Sequence, residues 1–116
     1  MKQKRKDALQ ELLAKVEAHG SYETETDYDT VEVALSFTEH FKVMWVIEAW
    51  RDGSLDAALA LHGAVLPGWQ YGYDGIIAWV KMPGMRKRYS YGDPNGPTAR
   101  AWLCAILQAL VAECEP

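Results

Sequence analysis

The sequence lacks most of the features that would assign it to a secreted, membrane or redox class. Its two cysteines, Cys104 and Cys114, are too few for a disulfide framework. On one predicted helix they would lie about 15 Å apart, whereas a disulfide needs Cα atoms within about 7 Å. No apolar run reaches the length of a membrane span, and charged residues follow the basic start too closely for a secretory signal. Two free thiols therefore indicate a reducing, cytoplasmic setting.

Catalytic and metal-binding motifs are also missing. GxSxG, Walker and HExxH patterns do not occur, and His19, His40 and His62 show no ligand spacing. Asp27 and Asp29 form a DxD, but the glycine and glutamate of a calcium-binding EF-hand loop are absent. The sequence predicts a protein that is not an enzyme and that has no cofactor or metal.

The chain is rich in hydrophobic and aromatic residues. It is 116 residues long and 49% hydrophobic, with five tryptophans and six tyrosines. This length and composition suit one compact domain over residues 1–116, with residues 1–6 frayed. Large aromatic residues serve both cores and interfaces, so their excess leaves both roles open.

The stretch 54–81 is expected to organise the fold, beginning with a helix over residues 54–66. Ser54 is a good N-cap, and Pro67 and Gly68 end the helix. Small residues beside its apolar face would let a second helix approach closely. The alanine-lined helix predicted over residues 97–114 is that neighbour, either within the chain or in a symmetry mate.

An aromatic hairpin is predicted over residues 69–82. Asp74-Gly75 suits a two-residue type I′ turn, which would pair Tyr73 with Ile76. One face would carry Trp69, Tyr71, Tyr73, Ile76, Ala78 and Val80 toward the core. The other would carry Gln70, Gly72, Ile77, Trp79 and Lys81, either covered by further chain or left as a binding face. Residues 87–91 can add a third strand.

The remaining elements are predicted to be helices, over about 5–19, 29–37 and 41–51. Between residues 29 and 51 an alternation of apolar residues would also suit a hairpin, but the helix-forming residues favour helices. The fold class is therefore α+β, a small antiparallel sheet covered by helices.

The charge is unevenly distributed around a net charge of −4. Four acidic residues, predicted to lie in a solvated loop, could also dock a basic partner; they are Glu23, Glu25, Asp27 and Asp29. A second segment interleaves cations with aromatic rings, which suits either stacked bases or a protein interface. Its candidate binding residues are Trp79, Lys81, Arg86, Lys87, Arg88, Tyr89 and Tyr91.

Two stretches resemble a known family. GSLDAALALHGAVLPGW with its aromatic hairpin, and the closing PTARAWLCAILQALVAE, are similar to small proteins of phages and prophages in or near the phage ABA sandwich domain family. The resemblance covers the last 65 residues or so. It implies a small α/β sandwich from a mobile genetic element and transfers no activity.

Two functions follow as hypotheses. The first is a phage or prophage accessory protein that binds a host protein, monomeric or homodimeric, with a counter-defence inhibitor of the anti-CRISPR kind as its sharpest form. The second is a small nucleic-acid-binding module that uses residues 81–91. Affinity for nucleic acid would fall steeply with salt, which separates the two.

Overall fold

A computed structural model describes residues 2–18, 21–74, 76–94 and 96–114, with the backbone alone at positions 2, 24 and 25. Within these ranges the chain is α+β, as predicted, with helices and a three-stranded antiparallel sheet. The elements are α1 (Lys2–Glu17), α2 (Thr24–Leu35), α3 (His40–Arg51), α4 (Leu55–Val65), β1 (Gln70–Tyr73), β2 (Ile77–Lys81), β3 (Tyr89–Gly92) and α5 (Thr98–Glu113).

Helix α5 is the central element of the fold. It packs against β2 and β3 on one side and against α1, α3 and α4 on others. Its apolar residues are accordingly buried around most of the circumference: Ala99, Ala101, Trp102, Leu103, Cys104, Ala105, Ile106, Leu107, Ala109 and Leu110. The prediction that residues 54–81 organise the chain is therefore wrong, because a helix with apolar residues all round belongs inside the core. The close packing of α4 against α5 within one chain is confirmed.

The sheet has the order β1-β2-β3, and its hairpin register differs from the prediction. Tyr73 pairs with Ala78 and Tyr71 with Val80, a shift of two residues from the expected pairs. The cause is Asp74, whose Oδ1 accepts hydrogen bonds from the backbone N–H groups of Ile76 and Ile77, both at 2.8 Å. The turn therefore takes in Ile76 and lengthens the connection. Gly75, the second residue of the predicted turn, lies outside the described residues.

A shift of two residues preserves the faces, because strand side chains alternate with a period of two. Tyr71, Tyr73, Ala78 and Val80 do face α5, where Ala78 and Val80 are fully buried. Ile76 was predicted to join them but lies in the turn with 51% of its surface exposed.

The segment between residues 24 and 51 is helical, so the hairpin alternative is excluded. Helix α2 begins at Thr24, five residues before its predicted start, and the stretch expected to be an acidic loop forms its first turns. The buried Asp27 explains the early start: its carboxylate accepts a hydrogen bond from the backbone N–H of Glu23, the N-cap residue. An N-terminal N–H that would lack a helical partner is thereby satisfied.

Helices cover only one face of the sheet. Among the described elements, α5 alone packs extensively on the strands, and it lies on the side of Ala78 and Val80. On the opposite side Gln70, Ile77 and Ser90 are exposed. The described chain thus has two layers here, and the helix that a three-layer sandwich would place over Trp79 is not found in it. None of the helices described is both long enough and apolar enough to span a membrane.

Candidate partner-binding surface

The exposed side of the sheet, called here the outer face, is built on two glycines. Gly72 of β1 pairs with Trp79 of β2, and Gly92 of β3 pairs with Ile77. A Cβ at Gly72 would lie 2.6 Å from three atoms of the Trp79 indole, and one at Gly92 would lie 3.2 Å from Ile77 Cγ1. The side chains of β2 therefore lie sideways across their neighbouring strands; Gly72 leaves the space that the Trp79 indole needs, and the fit of Ile77 over Gly92 is close.

Arg88 completes this arrangement from the residue just before β3. Its guanidinium carbon lies 4.2 Å from the centroid of the Trp79 ring, within the range of a cation–π contact. Trp79 thus lies against both Gly72 and the Arg88 guanidinium, and it is half-buried although no helix of the described chain covers it. The stack holds the arginine side chain in place at the surface.

The outer face carries positive charge with no carboxylate to balance it. Between Gly75 and Gly92 the sequence has four cations and no acidic residue. Arg88 makes no hydrogen bond or ion pair with another described residue and stacks on Trp79, and Lys81 donates a hydrogen bond to the side-chain oxygen of Gln70 at 3.3 Å. The β2–β3 register, continued by one residue, places Arg88 opposite Lys81. Like charges in that position repel each other.

The structure divides the predicted basic–aromatic set between the two sides of the sheet. Trp79, Lys81 and Arg88 come together on the outer face. Tyr89 and Tyr91 pair with Val80 and Ala78 and pack on the core side. The sequence analysis placed these tyrosines beside Trp79, and strand alternation puts them on the opposite face.

The other two cations of the set lie away from the outer-face stack. Lys87 lies beside a tyrosine of β3, with its ammonium 5.1 Å from the centroid of the Tyr89 ring. Arg86 is exposed in the connection between β2 and β3, where it contacts no other described side chain through charge or ring.

The predicted acidic set does not form one surface either. Asp27 is buried, and its carboxylate forms an ion pair with Lys15 at 2.8 Å, so it serves the α1–α2 packing. Hydrogen bonding to Asp27 is the first cause of the raised pKa of Lys15. Glu23 is exposed at the start of α2, and the side chain of Glu25 lies outside the described residues.

Asp29 is exposed on a different side of α2. There it lines an open groove of about 500 Å³ with Lys4, Asp7 and Glu11 of α1. Asp27 and Asp29 thus point in different directions, which removes the DxD as a metal-binding pair. Over the described ranges no cluster of histidine, cysteine and carboxylate groups could hold a metal ion.

The buried polar groups that resemble catalytic residues have structural partners. His62 Nδ1 accepts a hydrogen bond from Trp102 Nε1 at 3.3 Å, and His62 Nε2 donates one to the Trp69 carbonyl at 3.0 Å. Both ring nitrogens are satisfied in the neutral form, and burial lowers the pKa of His62. Burial also raises the pKa of the Cys104 thiol to about 12, so this cysteine is protonated and a poor nucleophile.

Sequence reasoning missed the roles of Gly72 and Gly92. The available signal was a strand glycine paired with a large aromatic residue on the next strand, which often marks a close approach. This pairing is visible only in the correct hairpin register, and the predicted type I′ turn gave a register in which Gly72 does not pair with Trp79.

The fold and this surface define a small α+β domain with a one-sided sheet and an exposed tryptophan–arginine stack. No family model, curated protein or solved structure matches the chain. The resemblance to phage proteins therefore stays a prediction.

Proposed function

We propose that this protein is a non-enzymatic binding module that docks on another protein through the outer face of its sheet. The observation that carries the proposal is the Trp79–Arg88 stack, a large aromatic group and a cation held together on an uncovered sheet. Tryptophan and arginine are enriched among the residues that dominate the energy of protein interfaces. Holding them in place before binding reduces the entropy that association would otherwise remove.

Exposed apolar side chains near the stack support a protein partner. Ile77 lies on the same face and is 44% exposed; Ile76, in the adjoining turn, is 51% exposed. Met85, in the β2–β3 connection, is 54% exposed. An apolar centre surrounded by charged and polar residues is the arrangement typical of protein interfaces.

Nucleic acid is the second candidate, and the ring geometry favours it less. Base stacking needs an open aromatic face, whereas the Arg88 guanidinium already lies over the Trp79 ring, 4.2 Å from its centroid. Tyr89 and Tyr91 pack on the core side.

The biological setting in this proposal comes from the resemblance. A phage or prophage accessory protein with this surface would bind a host protein in the cytoplasm, and a counter-defence inhibitor is the most specific form of that role. The binding surface is argued from the structure and the setting from the resemblance, so each can be tested separately.

The test is a pull-down from bacterial lysate with the tagged protein, with and without nuclease. We expect a stoichiometric protein band that survives nuclease and is lost with Trp79→Glu. Phe41→Glu is the matched control, because Phe41 is an exposed aromatic residue, 54% accessible, on α3, which has no extensive contact with the sheet. Loss of the band with Phe41→Glu but not with Trp79→Glu would refute the outer face as the site. Loss of all bands after nuclease treatment would favour nucleic acid.

A further inference from the structure

We infer that the outer face recognises an acidic segment of its partner, with Arg88 forming a two-point hydrogen bond to a carboxylate. This inference rests on the proposed function and adds the chemistry of the ligand. Arg88, Lys81, Trp79 and Ile77 carry it, and they are called the outer-face patch below.

The first step is the orientation of Arg88. A guanidinium is planar and binds a carboxylate best through two parallel N–H···O hydrogen bonds. With the guanidinium over the Trp79 ring at 4.2 Å, the indole occupies one side of the group. The N–H groups at its rim are then available to a ligand, and none of them donates to another described residue.

The second step is the charge of the patch. Arg88, just before β3, lies opposite Lys81 of β2 when the strand register is continued by one residue, and the segment around them has no acid. A carboxylate on this face would be attracted by both cations. Lys81 is held by its hydrogen bond to Gln70 and Arg88 by the Trp79 ring, so both cations are positioned on the outer face before a ligand arrives.

The third step is the mixed character of the patch. Ile77 lies two residues from Trp79 on the same face, over Gly92, and it is well exposed. A ligand that contacts both the cations and Ile77 must carry a carboxylate and an apolar side chain within a few residues of each other. An acidic peptide segment with interspersed apolar residues meets this requirement, whereas inorganic phosphate or a polyphosphate backbone satisfies only the charged end.

The experiment uses a short fluorescent peptide rich in glutamate and leucine, its glutamine counterpart and an oligo-dT of similar length, each titrated by anisotropy. We expect the glutamate peptide to bind, and the glutamine counterpart to bind at least about tenfold more weakly. In NMR spectra the glutamate peptide should shift the indole N–H signal of Trp79, assigned by comparison with Trp79→Phe.

Variants then separate two-point recognition from simple charge. Arg88→Lys keeps the charge but loses the planar group, and we expect about tenfold weaker binding of the glutamate peptide. Arg86→Lys is the matched control and should leave binding unchanged, because Arg86 makes no such stack. Both substitutions are at exposed positions, and circular dichroism confirms that each variant is folded.

Several outcomes would overturn the inference. Equal binding of the glutamate and glutamine peptides would exclude carboxylate recognition, and unchanged binding by Arg88→Lys would exclude the two-point contact. Binding of oligo-dT without binding of the glutamate peptide would replace the acidic protein by nucleic acid. If the pull-down depends on Trp79 but the glutamate peptide does not bind, this inference fails while the proposed function stands. If neither result depends on Trp79, both fail.

Discussion

The two faces of the sheet carry similar residues in opposite environments. On the core side, Tyr71 and Tyr73 stack on the buried Trp102 of α5, at 4.8 and 5.3 Å between ring centroids. On the outer face, Trp79 lies against a glycine and an arginine, and none of the described helices packs over it. The aromatic residues of the core side pack inside the fold, and Trp79 of the outer face is the one we propose for contact with a partner. Substitutions on the two sides should therefore separate stability from binding.

The largest effect is expected from Trp102→Ala. Trp102 is 1% exposed, and its removal would leave a cavity under the two tyrosines and His62 Nδ1 without its donor. We expect a loss of about 3–5 kcal/mol in the free energy of unfolding, measured by urea denaturation with circular dichroism. Trp102→Phe extends the series if the alanine variant does not fold. Trp79→Ala is the counterpart on the outer face, and an equal loss there would contradict the proposed division.

Gly72→Ala tests the close approach of β1 and Trp79. The new methyl group would lie 2.6 Å from the indole, so the ring must move, at a cost of about 1–3 kcal/mol. Gly92→Ala is the matched control, since its Cβ would lie 3.2 Å from an isoleucine side chain that can adjust. The cost of Gly72→Ala should largely disappear in a Trp79→Ala background, which a double-mutant cycle measures. Persistence of the full cost there would show that Trp79 is not its cause.

Lowering the pH should reduce the free energy of unfolding through the protonation of His62, which lies on the core side of the sheet. Its pKa in the folded chain is lowered, chiefly by burial, and an unfolded histidine titrates near pH 6.5. Below that pH the unfolded state binds the proton more strongly, so stability is complete above about pH 6.5 and falls as the pH drops through the lower folded pKa. Protonation of His62 would also place an N–H at Nδ1, so that two donors, this group and the Trp102 N–H, would face each other.

The measurement is the free energy of unfolding between about pH 7.5 and pH 5, compared with His62→Gln. The difference between the two proteins should shrink as the pH is lowered. Any pH dependence that persists in His62→Gln belongs to other groups. A difference that does not change with pH would refute the role of His62.

The smallest effect on stability is expected from Arg88→Ala. An exposed cation–π contact contributes about 0.5–1 kcal/mol, and Arg88 makes no hydrogen bond or ion pair with the described chain. Arg86→Ala, which removes the same charge without a stack, should change stability less. A loss from Arg88→Ala as large as that from Trp102→Ala would mean that the outer face supports the fold and is not free for a partner.

Local signals in the sequence predicted much of the fold. Ser54 does cap α4, with its hydroxyl accepting from the Ala57 N–H at 3.1 Å, and Pro97 stands at the start of α5 as expected. The alternation in the hairpin gave the correct faces. These predictions succeed because capping, proline geometry and strand alternation act over a few residues.

Other features were not predicted from the sequence because they depend on residues that are distant along the chain. Asp27 belongs to the charged set in the sequence, but Lys15 of α1 draws it into a buried ion pair. The Asp74 side chain, by accepting two turn N–H groups, set a register that the Asp-Gly pair did not predict. The candidate site was the least predictable feature, because the hairpin register and the pairing of β3 with β2 decide which aromatic ring lies next to Arg88.

The sequence by itself determined the α+β class, most helix ends and the separation of cations from acids in the β2–β3 segment. The tertiary structure decided that α5 lies at the centre, that one face of the sheet stays uncovered, and that Trp79 lies against Gly72 and Arg88. The physical reason is range: backbone geometry and alternation act between near neighbours, whereas burial and stacking depend on which surfaces the folded chain brings together.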